Sequence, residues 1–99
     1  MGKYVTDQQI ADYQRDGAVC IPGLFKDWVE VIRAGIERNM REPGPYAAEN
    51  LKPGEGGRFF DDYCNWERIP EFVEIVHESP AAQAAAELMR SKSAQMFHD

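Results

Sequence analysis

The spacing of apolar residues along the chain predicts four helices. Apolar positions recur at helical intervals over four ranges, which are 7–16, 27–41, 70–78 and 80–90. Thr6 and Gln9 have the form of a capping box before the first helix, and Gly17 suits the left-handed conformation that often ends one. Pro70 is placed for the first turn of the third helix, and Pro80 for the opening of the fourth.

The second helix has the clearest apolar stripe. Asp27, followed three residues later by Glu30, is a further helix start signal. The stripe that follows at helical spacing consists of Trp28, Val31, Ile32, Gly35, Ile36 and Met40. Charged residues occupy the opposite face, which therefore faces solvent.

Two short runs have the pattern of β-strands. Residues 18–21 read AVCI, an apolar run that stops at Pro22 and Gly23. Residues 93–98 place Ala94, Met96 and His98 on one face of an extended segment. The pattern therefore predicts strands near 18–21 and 93–98.

Residues 43–57 form a Pro/Gly-rich segment between the second and third helices. The sequence PGPYAAENLKPGEGG holds seven Pro or Gly residues, which are too many for a helix or a central strand. The segment is predicted to be a loop. Loops of this length are uncommon in small domains, and both a lid and a disordered segment are consistent with the sequence.

The fourth helix is rich in alanine, with five alanines between positions 81 and 86. Such a helix has a nearly flat face that lets another element approach closely, so a packing neighbour is expected. The alanine face has no evident cover and the strand at 93–98 has an unpaired edge, so residues 81–99 are the expected surface for self-association or for the remainder of a longer chain.

Length and composition limit the class of protein. Ninety-nine residues are enough for one domain, and the net charge of −6 with no basic stripe argues against nucleic acid as a partner. No stretch is apolar enough for a membrane span or a signal peptide, so a cytoplasmic location is the expectation. Cys20 and Cys64 form no metal-binding or disulfide pattern and are expected to be reduced, buried thiols.

His98 and Asp99 invite assignment as metal ligands, but the spacing argues against it. A non-haem iron site needs two His and one carboxylate on one face of the metal. Neighbouring residues of a strand point to opposite faces, so this pair does not converge on one ion. The chain contains only two histidines, and no catalytic residue or metal ligand is predicted within it.

The order of several segments resembles the N-terminal part of the phytanoyl-CoA dioxygenase family. The segments are TDQQIADYQRDGAVCIPGLF, the helix from Trp28 to Arg38, GRFFDDYCNW, IPEFVEIVHESPAAQAAAELM and SAQMFHD. The resemblance covers nearly the whole chain, although no single segment is diagnostic. It implies an α+β fold, mostly helical here, in which these residues provide the N-terminal helices and first strands of a double-stranded β-helix, or jelly roll.

The family resemblance also implies an activity for a longer parent chain. Members are iron(II)- and 2-oxoglutarate-dependent dioxygenases that hold the metal with an H-x-D pair and a distant His. The FHD segment resembles a scaffold strand that precedes that motif, so residues 1–99 are expected to be a truncated, inactive N-terminal segment whose core strands are missing. The parent would hydroxylate a small organic substrate that the sequence does not identify.

Five residues near the aromatic-rich segment are candidates for substrate binding. Lys52 and Arg58 would meet an anionic group, and Phe59, Phe60 and Trp66 would line an apolar wall. Ordinary surface charge and core packing are the stronger alternative explanations for the same residues. The alternative function is a non-catalytic helical module that self-associates or binds a protein partner.

Overall fold

The computed structural model describes residues 2–99 and shows a small α+β protein. About 45% of the chain is helical, and the strands form one two-stranded antiparallel sheet. The helices are α1 (Asp7–Asp16), α2 (Val29–Arg41), α3 (Pro70–Glu78) and α4 (Ala81–Met89), and the strands are β1 (Ala48–Glu49) and β2 (Phe60–Asp61). The four helices lie within one residue of their predicted ranges except at the start of α2.

Helix α1 begins and ends as its sequence predicts. The Thr6 side chain accepts a hydrogen bond from the backbone N–H of Gln9 at 3.1 Å, and the Gln9 side chain accepts one from the backbone N–H of Thr6 at 2.9 Å. Gly17 has φ 77° and donates its N–H to the carbonyl of Tyr13. The capping box and the glycine C-cap are therefore confirmed.

Helix α2 begins at Val29, two residues after its predicted start at Asp27. Lys26–Trp28 form a 3₁₀ turn, and the α-helix begins at Val29 with no side chain capping it. The carbonyl of Phe25 accepts the N–H of Trp28 at 2.8 Å, so a tight turn replaces a side-chain cap. A 3₁₀ turn is a frequent alternative at the N-terminus of an α-helix.

The strands predicted near 18–21 and 93–98 are not present. Neither segment has a strand partner among residues 2–99. A strand requires a neighbour that satisfies its backbone N–H and C=O groups, and local β-propensity alone does not provide one. The sheet forms instead within and just after the Pro/Gly-rich segment, where Ala48 pairs with Asp61 and Glu49 with Phe60.

The helices pack as two pairs rather than around one centre. Helix α2 packs against α3, α1 packs against α4, and α3 also contacts α4. The neighbour of the alanine-rich helix is therefore α1, and Ala84 and Ala86 are buried. This arrangement is elongated, with a radius of gyration of 16.4 Å, compared with about 13 Å for a compact chain of this length.

A bidentate ion pair joins α2 to α3. Arg38 donates from Nε and Nη2 to the two carboxylate oxygens of Glu71, at 2.7 and 3.0 Å. The hydrogen bonds with Glu71 raise the pKa of Arg38, and those with Arg38 lower the pKa of Glu71. Such fork-shaped pairing fixes orientation as well as distance, so it sets how the two helices lie against each other.

The carboxylate of Glu87 joins the N-terminal segment to α4. Its Oε1 accepts the backbone N–H groups of Tyr4 at 3.0 Å and Val5 at 3.1 Å, and its Oε2 accepts the Gln83 side chain at 3.0 Å. Desolvation alone would raise the pKa of Glu87, but these hydrogen bonds outweigh it and lower the pKa to about 2. The contact therefore favours the ionised carboxylate.

We expect the Glu87 contact to make folding pH-dependent. The pKa of this carboxyl is lower in the folded chain than its ordinary 4.5, so its contribution is fully present above 4.5 and is lost as the pH falls towards 2. Thermal melts between pH 2 and 7 should show a smaller acid-induced loss for Glu87→Gln than for the natural chain. Glu74→Gln, on an exposed position of α3, is the control and should follow the natural chain.

The buried apolar core is small. Among residues 2–99 the buried apolar side chains are Val5, Ile69, Ala84 and Ala86, together with the ring of Pro80. Cys20 and Cys64 are free and exposed, so the expectation that they are buried is wrong. Their segments are coil and turn on the surface and are not packed strands. Within the described range, no helix has the length and apolar character needed to cross a membrane.

Candidate functional site

A groove with a volume of about 330 Å³ lies beside α3. Its wall is made by the end of α2, the turn before α3, one face of α3 and the C-terminal segment. The lining residues are Asn39, Asp62, Asn65, Trp66, Phe72, Ile75, Val76, Met96 and Asp99. The volume falls within the ~300–1,000 Å³ typical of small-molecule sites, and the lining combines an apolar wall with a few polar groups, which is the usual composition of such sites.

Asp62 forms the buried part of the polar end of the groove. Its side chain is fully buried and accepts the backbone N–H of Gly44 at 2.8 Å and that of Tyr63 at 2.9 Å. Arg68 lies 3.7 Å from the same carboxylate and donates to the carbonyl of Glu42 at 2.7 Å. Asp62 thus has its own hydrogen bonds and its own counter-ion, as a buried charge requires.

Asp99 attaches the C-terminal segment to the turn before α3. Its Oδ2 accepts the backbone N–H groups of Asn65 and Trp66, both at 3.0 Å. Cys64, immediately before them, has φ 56°, and a left-handed residue followed by two free N–H groups forms a concave anion-binding arrangement. A carboxylate of the same chain occupies that arrangement.

Asn65 has an unsatisfied acceptor beside the groove. The residue is 5% exposed, and its Oδ1 has no hydrogen-bond partner among residues 2–99. Buried polar atoms are nearly always hydrogen-bonded, so an unpaired one is an informative exception. The group is an acceptor and requires a donor.

Trp66 stands between the polar end of the groove and α3. Its ring is half-buried and makes an edge-to-face contact with His77, with ring centroids 5.8 Å apart. Phe72, Ile75 and Val76 continue the apolar wall along α3, and Met96 covers it from the C-terminal segment. The arrangement places an aromatic side chain next to acidic and amide residues.

The other four predicted site residues lie on the β1–β2 hairpin and its loop, outside the groove lining. The Arg58 guanidinium is 5.7 Å from the centre of the Phe60 ring, and its Nε donates to Glu49 at 2.9 Å. Phe59 is 60% exposed, and Lys52 is exposed. The structure therefore brings Arg58 and Phe60 together, and Glu49 neutralises the cation that was expected to meet an anionic substrate.

Sequence reasoning missed the polar residues of the groove. Asp62 and Asn65 lie in the segment DDYCNW, from which only the aromatic Trp66 was predicted to be a site residue. Asp and Asn are common in turns, so their presence there does not indicate a site. Asp99 was considered only together with His98, as a metal ligand or a catalytic residue. The sequence offers one signal, which is the acidic pair Asp61 and Asp62 with Asn65 three positions after Asp62. The burial of these side chains, however, depends on the tertiary fold.

The residues present do not fit the iron site that the family resemblance implies. His98 is exposed, and the Oδ2 of Asp99 is engaged by two backbone N–H groups. In the part of the chain that the structure describes, no group of three or more His, Cys, Asp and Glu side chains is arranged to hold a metal ion. No chemical step through iron is therefore derived from these residues.

Comparisons with models of protein families, with curated proteins and with solved structures found no match to this chain.

Proposed function

We propose that residues 1–99 act as the N-terminal scaffold of an iron(II)- and 2-oxoglutarate-dependent dioxygenase that hydroxylates a small organic molecule. The support is the ordered succession of segments described above, together with the helical character of most of them. In this proposal α1 to α4 buttress a jelly roll formed by further residues of a longer chain. The iron ligands and the 2-oxoglutarate site belong to those further residues.

The observation that carries the proposal concerns residues 92–99. Within residues 2–99, none of these eight makes a backbone–backbone hydrogen bond, although their sequence has the pattern of a strand. Phe97 is 96% exposed, and Met96 is 36% exposed. Unpaired backbone groups beside exposed apolar side chains are what a strand presents before its sheet neighbours are in place.

The reading frame beyond codon 99 tests the proposal directly. We expect it to encode an H-x-D pair within a few dozen codons and a distant His. A chain extended through these residues should bind iron(II) and form succinate from 2-oxoglutarate. A stop codon directly after Asp99, or an extended chain that binds iron but never consumes 2-oxoglutarate, would contradict the dioxygenase proposal.

A non-catalytic module that self-associates is the second candidate, and the same exposed segment favours it. Phe97 is nearly fully exposed, and Met89 at the end of α4 is 47% exposed. Contiguous apolar patches larger than a few hundred Å² are uncommon on soluble monomers and often mark an interface. Helix α1 covers the alanine face of α4, so that face is not available to a second copy of the chain. The proposed surface for self-association is therefore limited to Met89 and the segment that follows it.

We expect Phe97→Lys to shift the 99-residue chain towards the monomer, because a charge in an apolar contact is desolvated without a partner. Sedimentation or light scattering over a range of concentrations measures the shift. Phe59→Lys is the matched control, since Phe59 is exposed on the hairpin. A chain that stays monomeric at all concentrations, or equal effects of the two substitutions, would contradict self-association through the C-terminal segment.

A further inference from the structure

Helix α2 has an apolar face that α3 leaves open. Val29 and Ile36 are 47% and 48% exposed, and together with the half-buried Ile32 they line a shallow groove of about 380 Å³. Helix α3 packs on another side of α2, where a Cβ added at Gly35 would lie 2.5 Å from the Phe72 ring. The apolar stripe of α2 is therefore wider than the surface that α3 covers.

Two side chains of opposite charge line the same groove. Arg33 and Glu37 are exposed and four residues apart, so they lie on the same flank of the apolar residues, about 6 Å from each other along the helix axis. Arg33 lies 3.4 Å from Glu30, but a contact between two exposed side chains of this kind is weak. Glu37 forms no ion pair within residues 2–99. Both charges are therefore available to a partner.

The order of these two charges makes the face complementary to itself in one orientation. Two α2 helices can pair antiparallel about a twofold axis at the level of residue 35, which places Arg33 of each copy at the same height as Glu37 of the other. The two Ile36 side chains then meet near the axis, and Ile32 of each copy lies beside them. A parallel pair would instead bring Arg33 to Arg33 and Glu37 to Glu37, and like charges oppose such a contact.

We propose that two copies of this chain associate through α2, with the helices antiparallel and with Arg33 of each copy paired to Glu37 of the other. The apolar centre of the contact consists of Val29, Ile32 and Ile36. This surface is separate from Met89 and the C-terminal segment. The proposal depends neither on that contact nor on the dioxygenase proposal.

The association should be weak and reversible. Three aliphatic side chains from each copy give a contact at the small end of protein interfaces, below ~1,200 Å² in total, where complexes are usually transient. We expect a dissociation constant on the order of 100 µM. A dilute sample is then monomeric, with Ile36 exposed as it is in the single chain.

Sedimentation equilibrium of the 99-residue chain, from about 10 µM to about 1 mM, measures this association. Ile36→Lys should weaken it at least about tenfold, because two lysines would meet at the centre of the contact and lose water. Phe59→Lys, which adds the same charge at an exposed apolar position of the hairpin, is the matched control and should change the dissociation constant by less than about twofold. The amide NMR spectrum of each variant shows whether it folds.

Charge reversal tests the pairing of Arg33 with Glu37. Arg33→Glu and Glu37→Arg should each weaken self-association about tenfold, because each brings like charges together across the antiparallel contact. An equimolar mixture of the two variants should associate about as tightly as the natural chain, since every pair across the contact then joins opposite charges. Both variants keep a net negative charge, so attraction between whole molecules does not explain this recovery. Glu74→Arg, at an exposed position of α3, is the control and should leave the association unchanged.

Four results would overturn the proposal. A chain that stays monomeric up to about 1 mM would show that a second copy does not cover the open face of α2. Equal weakening by Ile36→Lys and Phe59→Lys would show that the added charge acts through the whole molecule. Association that Phe97→Lys removes and Ile36→Lys leaves intact would place the contact at the C-terminal segment. Single charge reversals without effect, or a mixture no tighter than either variant alone, would show that Arg33 and Glu37 do not meet across the contact.

Discussion

Ile69→Ala should destabilise the chain by about 2–5 kcal/mol, which is the range for truncating a fully buried isoleucine. Ile69 has 0% exposed surface and is the largest fully buried side chain among residues 2–99. Its carbonyl also accepts the N–H groups of Phe72 and Val73, at 3.0 and 3.1 Å, so the residue stands at the start of α3. The substitution leaves a cavity where the turn and the helix meet.

A loss of that size is a large fraction of the stability of a small domain, which is about 5–15 kcal/mol in total. Urea denaturation followed by tryptophan fluorescence measures it. Ile69→Val removes only one methylene and should cost about 0.5–1.5 kcal/mol, so it stays measurable if the alanine variant unfolds. Ile36→Ala is the matched control on α2, where the side chain is 48% exposed, and it should cost about 1 kcal/mol or less.

The ranking of these three variants tests where the core lies. If Ile36→Ala proves as costly as Ile69→Ala, the open face of α2 is covered in solution by another element or another molecule. We expect Ile69→Ala to be the most costly of the three, which would show that the groove wall is stabilised mainly by Ile69.

Helices were predictable from the sequence because their signals are local. Thr6, Gln9 and Gly17 determine both ends of α1 through contacts within a few residues, and Pro70 opens α3 in the same way. The strands at 18–21 and 93–98 were not predictable from local pattern. A strand depends on a partner that is distant in sequence, and residues 2–99 provide none.

The candidate site shows the same division between local and tertiary information. Trp66 was selected because aromatic residues are conspicuous in a sequence, and it does line the groove. Asp62 and Asn65 are among the commonest residues of turns, and nothing local indicates that their side chains are buried. The two N–H groups that hold Asp99 are 33 and 34 residues away from it, so that contact lies beyond any motif.

Gly35→Ala provides the sharpest test of the contact between α2 and α3. Alanine favours a helix over glycine by about 1 kcal/mol, so propensity alone predicts a more stable chain. A Cβ at position 35 would, however, lie 2.5 Å from Cε1 and 2.8 Å from Cδ1 of the Phe72 ring, and 3.1 Å from the Cβ of Glu71. Distances this short require one helix or the ring to move.

Neither Glu71 nor the Phe72 ring can move away freely from a Cβ at position 35. The destabilisation caused by the clash should therefore exceed the stabilisation gained from the higher helix propensity of alanine. Glu71 is held by its bidentate pair with Arg38, and the Phe72 ring forms part of the groove wall. Overpacking a close contact typically costs about 1–3 kcal/mol, and we expect a net loss of about 1–2 kcal/mol for Gly35→Ala.

A double-mutant cycle assigns the effect of Gly35→Ala to the ring. In a Phe72→Leu background the added methyl has more room. Gly35→Ala should therefore lower the free energy of unfolding less there than in the natural chain, and the difference is the coupling energy between positions 35 and 72. Ala34→Gly, at the exposed neighbouring position, measures the propensity term alone and should destabilise by about 1 kcal/mol. A Gly35→Ala chain more stable than the natural one, with no coupling to position 72, would mean that α2 and α3 do not approach as closely as their packing at Gly35 indicates.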